Sequence, residues 1–319
     1  MSVESTIAHN EEIFDARQIN LYNIVNLNPK VMEYWYCINR IIRGHGMQKK
    51  VIVEKQDLRY LKWSHSRNSS GTAGTFLKSQ SNISGEKTYY KLSNFDSEKG
   101  IIGHECVNEI IVDRLLTILG VEHLEYQLIH ADIEMDGVIF DTWVCASKDF
   151  KKAGETKSAL DNYYQINKDA DESRYEFCVN RGWKDYIDTM LAVDYLILNR
   201  DRHGANIEVL RNGRKHAIRI APLFDHGLSL LCSCQTDEEI KRFDILADKP
   251  CQNFIGSRST FENLNYITNK DQVFKSKLNL GHKDIICEDL LSVLSKTHLE
   301  RIWDMLWARW CEYEKLCNI

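Results

Sequence analysis

Leu196–Leu210 reads LILNRDRHGANIEVL: an apolar run, then Asn199-Arg200-Asp201-Arg202-His203, then an alternating Ile-Glu-Val-Leu. Just upstream, WKDYIDTMLAVDYLILN (183–199) carries apolar residues at helical spacing and predicts a long buried helix running into this stretch. Charge set down on a loop where a buried element ends points to a site rather than a solvated face. Downstream, IEVLRNGRKHAIRIAPLFD (207–225) predicts a β-hairpin turning through Arg211-Asn212-Gly213, an Asn-Gly signal for a type I′ turn. The hairpin returns the chain to a second acidic loop, Asp225-His226-Gly227.

The 319 residues exceed the usual size of one domain, which favours two lobes. Hydrophobic residues at 43% and charged residues at 27% support an ordinary packed core. A formal charge of -5 argues against nucleic-acid binding driven by overall charge, so no direct nucleic-acid partner is expected. The ten cysteines are scattered and form no Cys-x-x-Cys pair. Zinc-ribbon and thioredoxin-like chemistry is therefore not expected, and the thiols read as reduced. MSVESTIAHNEE lacks a basic-then-apolar leader, and no run approaches the roughly 18 apolar residues of a membrane span. A cytoplasmic protein without membrane insertion is the expectation.

Residues 1–60 read as an N-terminal extension of unknown role, with KKVIVEK (49–55) as a short strand candidate. Residues 61–147 read as a β-rich lobe. TFLK and TYYKLS are strands within a Ser/Gly/Asn-rich stretch, and EYQLIHADIEMDGVIFDTWVCASKDF (125–150) makes two or three strands with a Met-Asp-Gly turn. GHECVNEIIVDRLLTILG (103–120) is an amphipathic helix, with Ile110, Ile111, Leu115, Ile118 and Leu119 at helical spacing and Gly120 as its C-cap. Residues 148–319 change character: 156–200 is largely helical and helices dominate from 237. THLERIWDMLWARWCEYEKL (297–316) opens on a Thr297…Glu300 capping box. The fold class is α+β, a β-rich lobe with one main helix followed by a larger, mostly helical lobe. That is the bilobal layout of protein kinases.

Phosphoryl transfer asks for backbone that can approach phosphates, a cation to hold them, oxygen ligands for Mg²⁺, and a carboxylate beside the acceptor. Asp201 and Asn206 match the Asp-x-x-x-x-Asn of a kinase catalytic loop, and Asp225-His226-Gly227 takes the place of a metal-binding Asp-Phe-Gly. Alone, Asp-Arg-His is more often a surface loop with a salt bridge, and Asp-His-Gly is a mere turn. Both motifs in this order, after a buried helix and separated by a hairpin, are hard to obtain by chance. SSGTAGT (69–75) offers Ser70, Gly71, Thr72, Ala73, Gly74 and Thr75, small residues whose N–H groups can approach a polyphosphate. Lys91 lies in the YYKLS strand where a phosphate-binding lysine is required. Glu105 and Glu109, one helical turn apart, both offer it an ion-pair partner.

With these residues in place the chain resembles the HipA-like serine/threonine kinases, including the cell-translocating kinase A branch. The resemblance runs from about residue 65 onward and is sharpest in NRDRHGAN (199–206) and IAPLFDHG (220–227). It implies ATP and Mg²⁺ as cofactors, Asp201 as the catalytic aspartate, and Asn206 and Asp225 as metal ligands. It implies Lys91 as the nucleotide lysine, and Glu109 rather than Glu105 as its partner. His203 falls in the catalytic loop, where it resembles a histidine that supports the loop rather than a base. CASKDF (145–150) resembles the inter-lobe hinge, which puts Lys148 beside the nucleotide. NSSGTAGTFLK departs from the Gly-Val-Gln-Pro-Lys loop of the toxin branch, and residues 1–60 match nothing in the family.

The reading is then an autophosphorylating protein kinase, with Ser69, Ser70, Thr72 and Thr75 as acceptors whose added charge would repel ATP. Its expected partners are a protein substrate and an antitoxin-like protein, as for a toxin or an effector. Two alternatives stand beside it. One is a phosphoinositide or small-molecule kinase on the same fold, although the acidic chain lacks membrane-attracting basic segments. The other is an inactive kinase-like binding module, which need not keep Lys91, Glu109, Asp201, Asn206 and Asp225 together.

Overall fold

In the computed structural model the chain divides into two units, Met1–Lys49 and Lys50–Ile319. The structure describes residues 49–64, 76–83, 85–96 and 98–317, all but Lys49 in the second unit. Of the stretch read as an extension, residues up to 48 lie outside that description, whereas Val51–Asp57 form an edge strand of the main sheet.

That sheet has five strands: β1 (Val51–Asp57), β2 (Lys78–Ile83), β3 (Glu86–Leu92), β6 (Tyr126–Met135) and β7 (Val138–Lys148), in the order β1-β6-β7-β3-β2. Only β1 and β6 run parallel. A small ribbon, β4 (Phe95–Asp96) with β5 (Gly100–Ile101), leads into α1 (Glu105–Leu119). The expected Met-Asp-Gly turn joins β6 to β7 through Asp136 and Gly137, both with positive φ, as a type I′ turn requires.

Strand alternation divides the sheet's side chains between two cores. Tyr90, Leu92, Ile129, Ala131, Ile133, Val144 and Ala146 pack on one face with Leu58, Leu61 and Leu77. Leu128 and Cys145 point the other way, into the larger core built around α1. Lys91, between Tyr90 and Leu92, therefore also faces α1. The helix is not amphipathic as expected. Every residue from Glu105 to Leu116 is buried, because the sheet covers one side and the following helices cover the other. Burial of each large aliphatic side chain there contributes about 1.5–3 kcal/mol. Gly120, at φ 70°, ends the helix as expected.

Beyond the sheet the chain runs β8 (Glu155–Ala159), α2 (Leu160–Asn167), α3 (Arg174–Asn180), α4 (Lys184–Leu196), β9 (Asp201–Arg202), β10 (Glu208–Asn212) and β11 (Ala217–Ile220). It ends through α5 (Asp237–Arg242), β12 (Gln252–Asn253), several 3₁₀ turns, α6 (Lys283–Cys287) and α7 (Lys296–Cys317). Among the described residues this gives a mixed α/β fold with seven α-helices.

Four local expectations are corrected. Residues 155–159 form a strand rather than the start of helix, because they complete a three-stranded sheet, β11-β10-β8, on the edge of β10. The β10–β11 turn is not a two-residue Asn-Gly turn. Asn212 is held in the ladder, paired with both Ala217 and Glu155, so the loop spans 213–216 and its left-handed residue is His216. Helix α4 ends at Leu196, not Asn199, because Leu198 adopts φ 51°. Helix α7 begins before Thr297, and Ser295 Oγ accepts from His298 N at its start.

Candidate active site

Lys91 Nζ donates to Glu109 Oε1 at 3.0 Å and to Asp225 Oδ1 at 2.5 Å, so one ammonium joins strand β3, helix α1 and the Asp-His-Gly loop. Glu109 is fully buried and accepts two further bonds, from His226 N at 2.8 Å and Gly227 N at 3.1 Å. Glu105, one turn earlier, accepts instead from Asn94 N. Asn108 donates from Nδ2 to the carbonyls of Gly227 and Ser229. Asp225 sits at φ 61°, a conformation few non-glycine residues adopt, and donates its own N–H to the Tyr126 hydroxyl. A Cβ at Gly227 would lie 3.1 Å from Glu105 Cβ and 3.3 Å from Lys91 Nζ, so a side chain there would crowd the loop against both.

Burial opposes every charge in this group, and the neighbours decide the outcome. Burial lowers the Lys91 pKa, but Asp225 and Glu109 outweigh it and hold the ammonium well above its ordinary value. Burial also works against the Asp225 carboxylate, and Lys91 overcomes it, keeping Asp225 ionised well below the usual carboxylate range. For Glu109 burial dominates, with Lys91 only partly offsetting it, and the pKa rises. His226 is buried and held neutral by that burial and by Arg202.

The catalytic-loop candidates are set from the other side. Arg202 is completely buried and forks onto Asp194 of α4, with Nη2 to Oδ1 at 2.9 Å and Nε to both oxygens. Its Nη1 donates to Phe224 O at 2.8 Å, immediately before Asp225. Thus Arg202 pairs with Asp194 and ties α4, the 199–206 loop and the Asp-His-Gly loop together. Asn199 Nδ2 donates to Asp194 Oδ1, and Asp201 N donates to Asn199 Oδ1. Asn206 Nδ2 donates to Asp201 O at 2.7 Å, which leaves its amide oxygen for another donor or a cation. His203 Nδ1 accepts from Ala205 N at 3.2 Å, and its Nε2 lies 3.5 Å from Asp201 Oδ1. Gly204 is wedged in: a Cβ there would lie 2.5 Å from Asp161 Cβ and 2.9 Å from the Phe254 ring. β12 runs parallel to β9 and holds the loop's outer edge.

Lys91, Glu109, Asn206 and Asp225 line one cleft of about 840 Å³, whose wall continues through Lys148, Asp149, Phe150 and Phe224. Lys148 is half exposed and ion-paired with Glu86 across the β3–β7 ladder. Ser70, Gly71, Thr72, Ala73, Gly74 and Thr75 lie outside the described residues. The donors on hand, the Asp225 carboxylate and the Asn206 amide oxygen, are hard oxygens. They suit Mg²⁺ bound by few protein ligands, with phosphates and water completing its shell. Sequence reasoning missed Asp194, Asn108 and Tyr126, which support the site without carrying a motif. Only the eight-residue spacing from Asp194 to Arg202 gave a signal, and it is a common one.

No known family model matches the chain, and no curated relative matches it. Among solved structures, the Helicobacter pylori proinflammatory kinase CtkA is similar at a TM-score of 0.54 and 18% identity, over 80% of this chain and 94% of that one. HipA of the Shewanella oneidensis toxin–antitoxin system, solved with HipB and its operator DNA, is similar at a TM-score of 0.40 and 13% identity, over 89% of this chain and 72% of that one. At 18% identity the likeness to CtkA is one of fold, a kinase fold, as the HipA-like resemblance leads one to expect.

Proposed function

We propose that this chain is an ATP- and Mg²⁺-dependent phosphotransferase, a serine/threonine protein kinase of the HipA-like type. The observation that carries this reading is Lys91, shared between Glu109 on α1 and Asp225 on the loop after the hairpin, in the cleft that also contains Asn206. Glu109 is buried and Asp225 faces the cleft, and together they hold the Lys91 ammonium charged against burial. A lysine that hands Asp225 to a cation, and turns its own charge to phosphates, needs both.

In this reading the nucleotide lies between a β-rich lobe, 61–147, and a helical lobe, 148–319. Asn206 and Asp225 would hold Mg²⁺, which would offset the charge of the phosphates. Lys91 binds the phosphates while Glu109 fixes its position. Glu109 also orients Asp225 through the His226 and Gly227 amides. Asp201 accepts the proton of the attacking hydroxyl, on a loop held in place by Asn199 and Arg202. His203 holds the Ala205 amide and acts as loop support. Ser69, Ser70, Thr72 and Thr75 are the proposed autophosphorylation acceptors, a protein is the proposed substrate, and an antitoxin-like protein is the proposed partner.

The test is incubation of the purified chain with radiolabelled ATP and Mg²⁺, beside Asp201→Ala. Label on the wild type alone, mapping to a serine or threonine, supports the reading. ATP binding with no transfer to the chain or to any offered protein favours an inert binding module, and transfer only to a lipid or small alcohol favours the alternative kinases.

A further inference from the structure

Glu208 follows Asn206 by two residues and begins β10 on the cleft wall. It is 8% exposed, and only one of its carboxylate oxygens is used: Oε1 accepts from Lys157 Nζ at 3.0 Å, while Oε2 has no hydrogen-bond partner. A buried charged oxygen left unpaired is costly, and such an acceptor beside a ligand cleft is matched when a ligand donor arrives. The phosphate-facing groups do not need it. Lys91 already has Glu109 and Asp225 as counter-charges, and a further carboxylate there would repel phosphate.

Its position along the wall identifies the donor. Asn206 marks the metal and phosphate end of the cleft. Two residues further along β10, Leu210 pairs with Arg219, whose Nη2 donates to the Phe150 carbonyl, and Phe150 lies 5.6 Å ring to ring from Phe224. That aromatic pair suits a flat base. Glu208 opens β10 between the 3₁₀ turn that ends at Asn206 and Leu210. In a nucleoside triphosphate the group between phosphates and base is the sugar, a neutral hydroxyl donor.

We infer that Glu208 is a positioning and specificity residue that accepts a hydrogen bond from a ribose hydroxyl, with Lys157 holding the carboxylate in place. The terminal torsion of glutamate is soft, so a modest rotation presents Oε2 to the cleft while Oε1 keeps Lys157. This rests on the kinase reading and adds a preference for ribonucleotides over deoxyribonucleotides.

The experiment is direct titration of the purified full chain with ATP, 2′-deoxy-ATP, 3′-deoxy-ATP and inosine triphosphate, in Mg²⁺, by calorimetry. Wild type should bind ATP roughly ten- to hundredfold more tightly than at least one deoxy analogue, the scale of leaving a buried acceptor unmatched. Glu208→Leu should bring that ratio close to one, and Glu208→Gln should lose much of it, because its single amide oxygen cannot accept from both Lys157 and a hydroxyl. Lys157 is partly exposed and can turn to water in either variant, and a thermal melt of each checks folding. Equal ratios in wild type and Glu208→Leu would overturn the assignment. So would a ratio that changes only between ATP and inosine triphosphate, since the contact would then be to the base. Tight binding of ATP with no deoxy discrimination overturns this inference and leaves the kinase reading standing, whereas no nucleotide binding at all overturns both.

Discussion

Two buried ion pairs meet behind the cleft, and they are built on different principles. Arg202 and Asp194 form a closed pair: a planar fork with every contact satisfied by protein, no exposure, and bonds to three separate elements. Lys91 forms an open one: a single ammonium between two carboxylates, of which Asp225 faces the cleft and is partly exposed. Arginine's fixed geometry suits a permanent joint, and lysine's point charge suits one whose partners can be exchanged. The first fixes the loop 199–206 against α4. The second leaves Asp225 free to change partners.

The sharpest way to break this comparison is Arg202→Ala. It strands Asp194 in the core and should cost about 3–5 kcal/mol of stability, read as an earlier midpoint in urea. A variant that keeps wild-type stability would show the joint is not closed. Lys91→Met should instead lower nucleotide-dependent transfer by about a hundredfold or more while leaving a folded chain. It should also be stabilised by millimolar Mg²⁺ more than wild type is, because a cation on Asp225 can offset the carboxylate charge that the lost ammonium balanced. An identical Mg²⁺ effect on both melting temperatures would remove Asp225 from the metal role.

A third test uses a pair in which burial outweighs any nearby charge. His104 and His298 touch at 4.5 Å, ring to ring, and burial lowers both pKa values to about 4. Both are neutral when folded but take up protons near 6.5 when unfolded. Stability is therefore present above pH 6.5 and lost as pH falls from 6.5 towards 4, by on the order of 3 kcal/mol for each histidine. Replacing both with Phe should flatten urea midpoints across that window, while Lys91→Met should leave this slope in place. The smallest effect belongs to His203→Ala. It releases one amide bond, about 1 kcal/mol, and should reduce transfer a few-fold without changing the pH of half-maximal activity. A shift in that pH would make His203 a proton carrier rather than a support.

The residues proposed to carry chemistry were the legible ones, because their spacing is set by backbone geometry within one short loop or hairpin. Asp201, Asn206 and Asp225 could be read this way, and so could Lys91 and the α1 glutamates, from a strand and a helix with clear periods. Gly120 was legible as a cap for the same local reason. What failed depended on distant pairing. Residues 155–159 look like nothing in particular until β10 offers them an edge, and Asn212-Gly213 signals a tight turn until both neighbours of β10 hold Asn212 in the ladder. Asp194 sits mid-helix among apolar residues, where nothing local announces that Arg202 will close over it. Glu208 looks like a solvent-facing strand residue, and only its burial beside the cleft marks it out.

Gly204 has a practical consequence for anyone who varies this loop. Its missing side chain is filled by Asp161 from α2 and by Phe254 just past β12, two segments about 90 residues apart in the chain. A library randomised across 200–206 alone will therefore return glycine at 204 whatever is selected for. To open that position, 161 and 254 must be varied with it, and the three should be treated as one unit when this loop is transplanted to another scaffold.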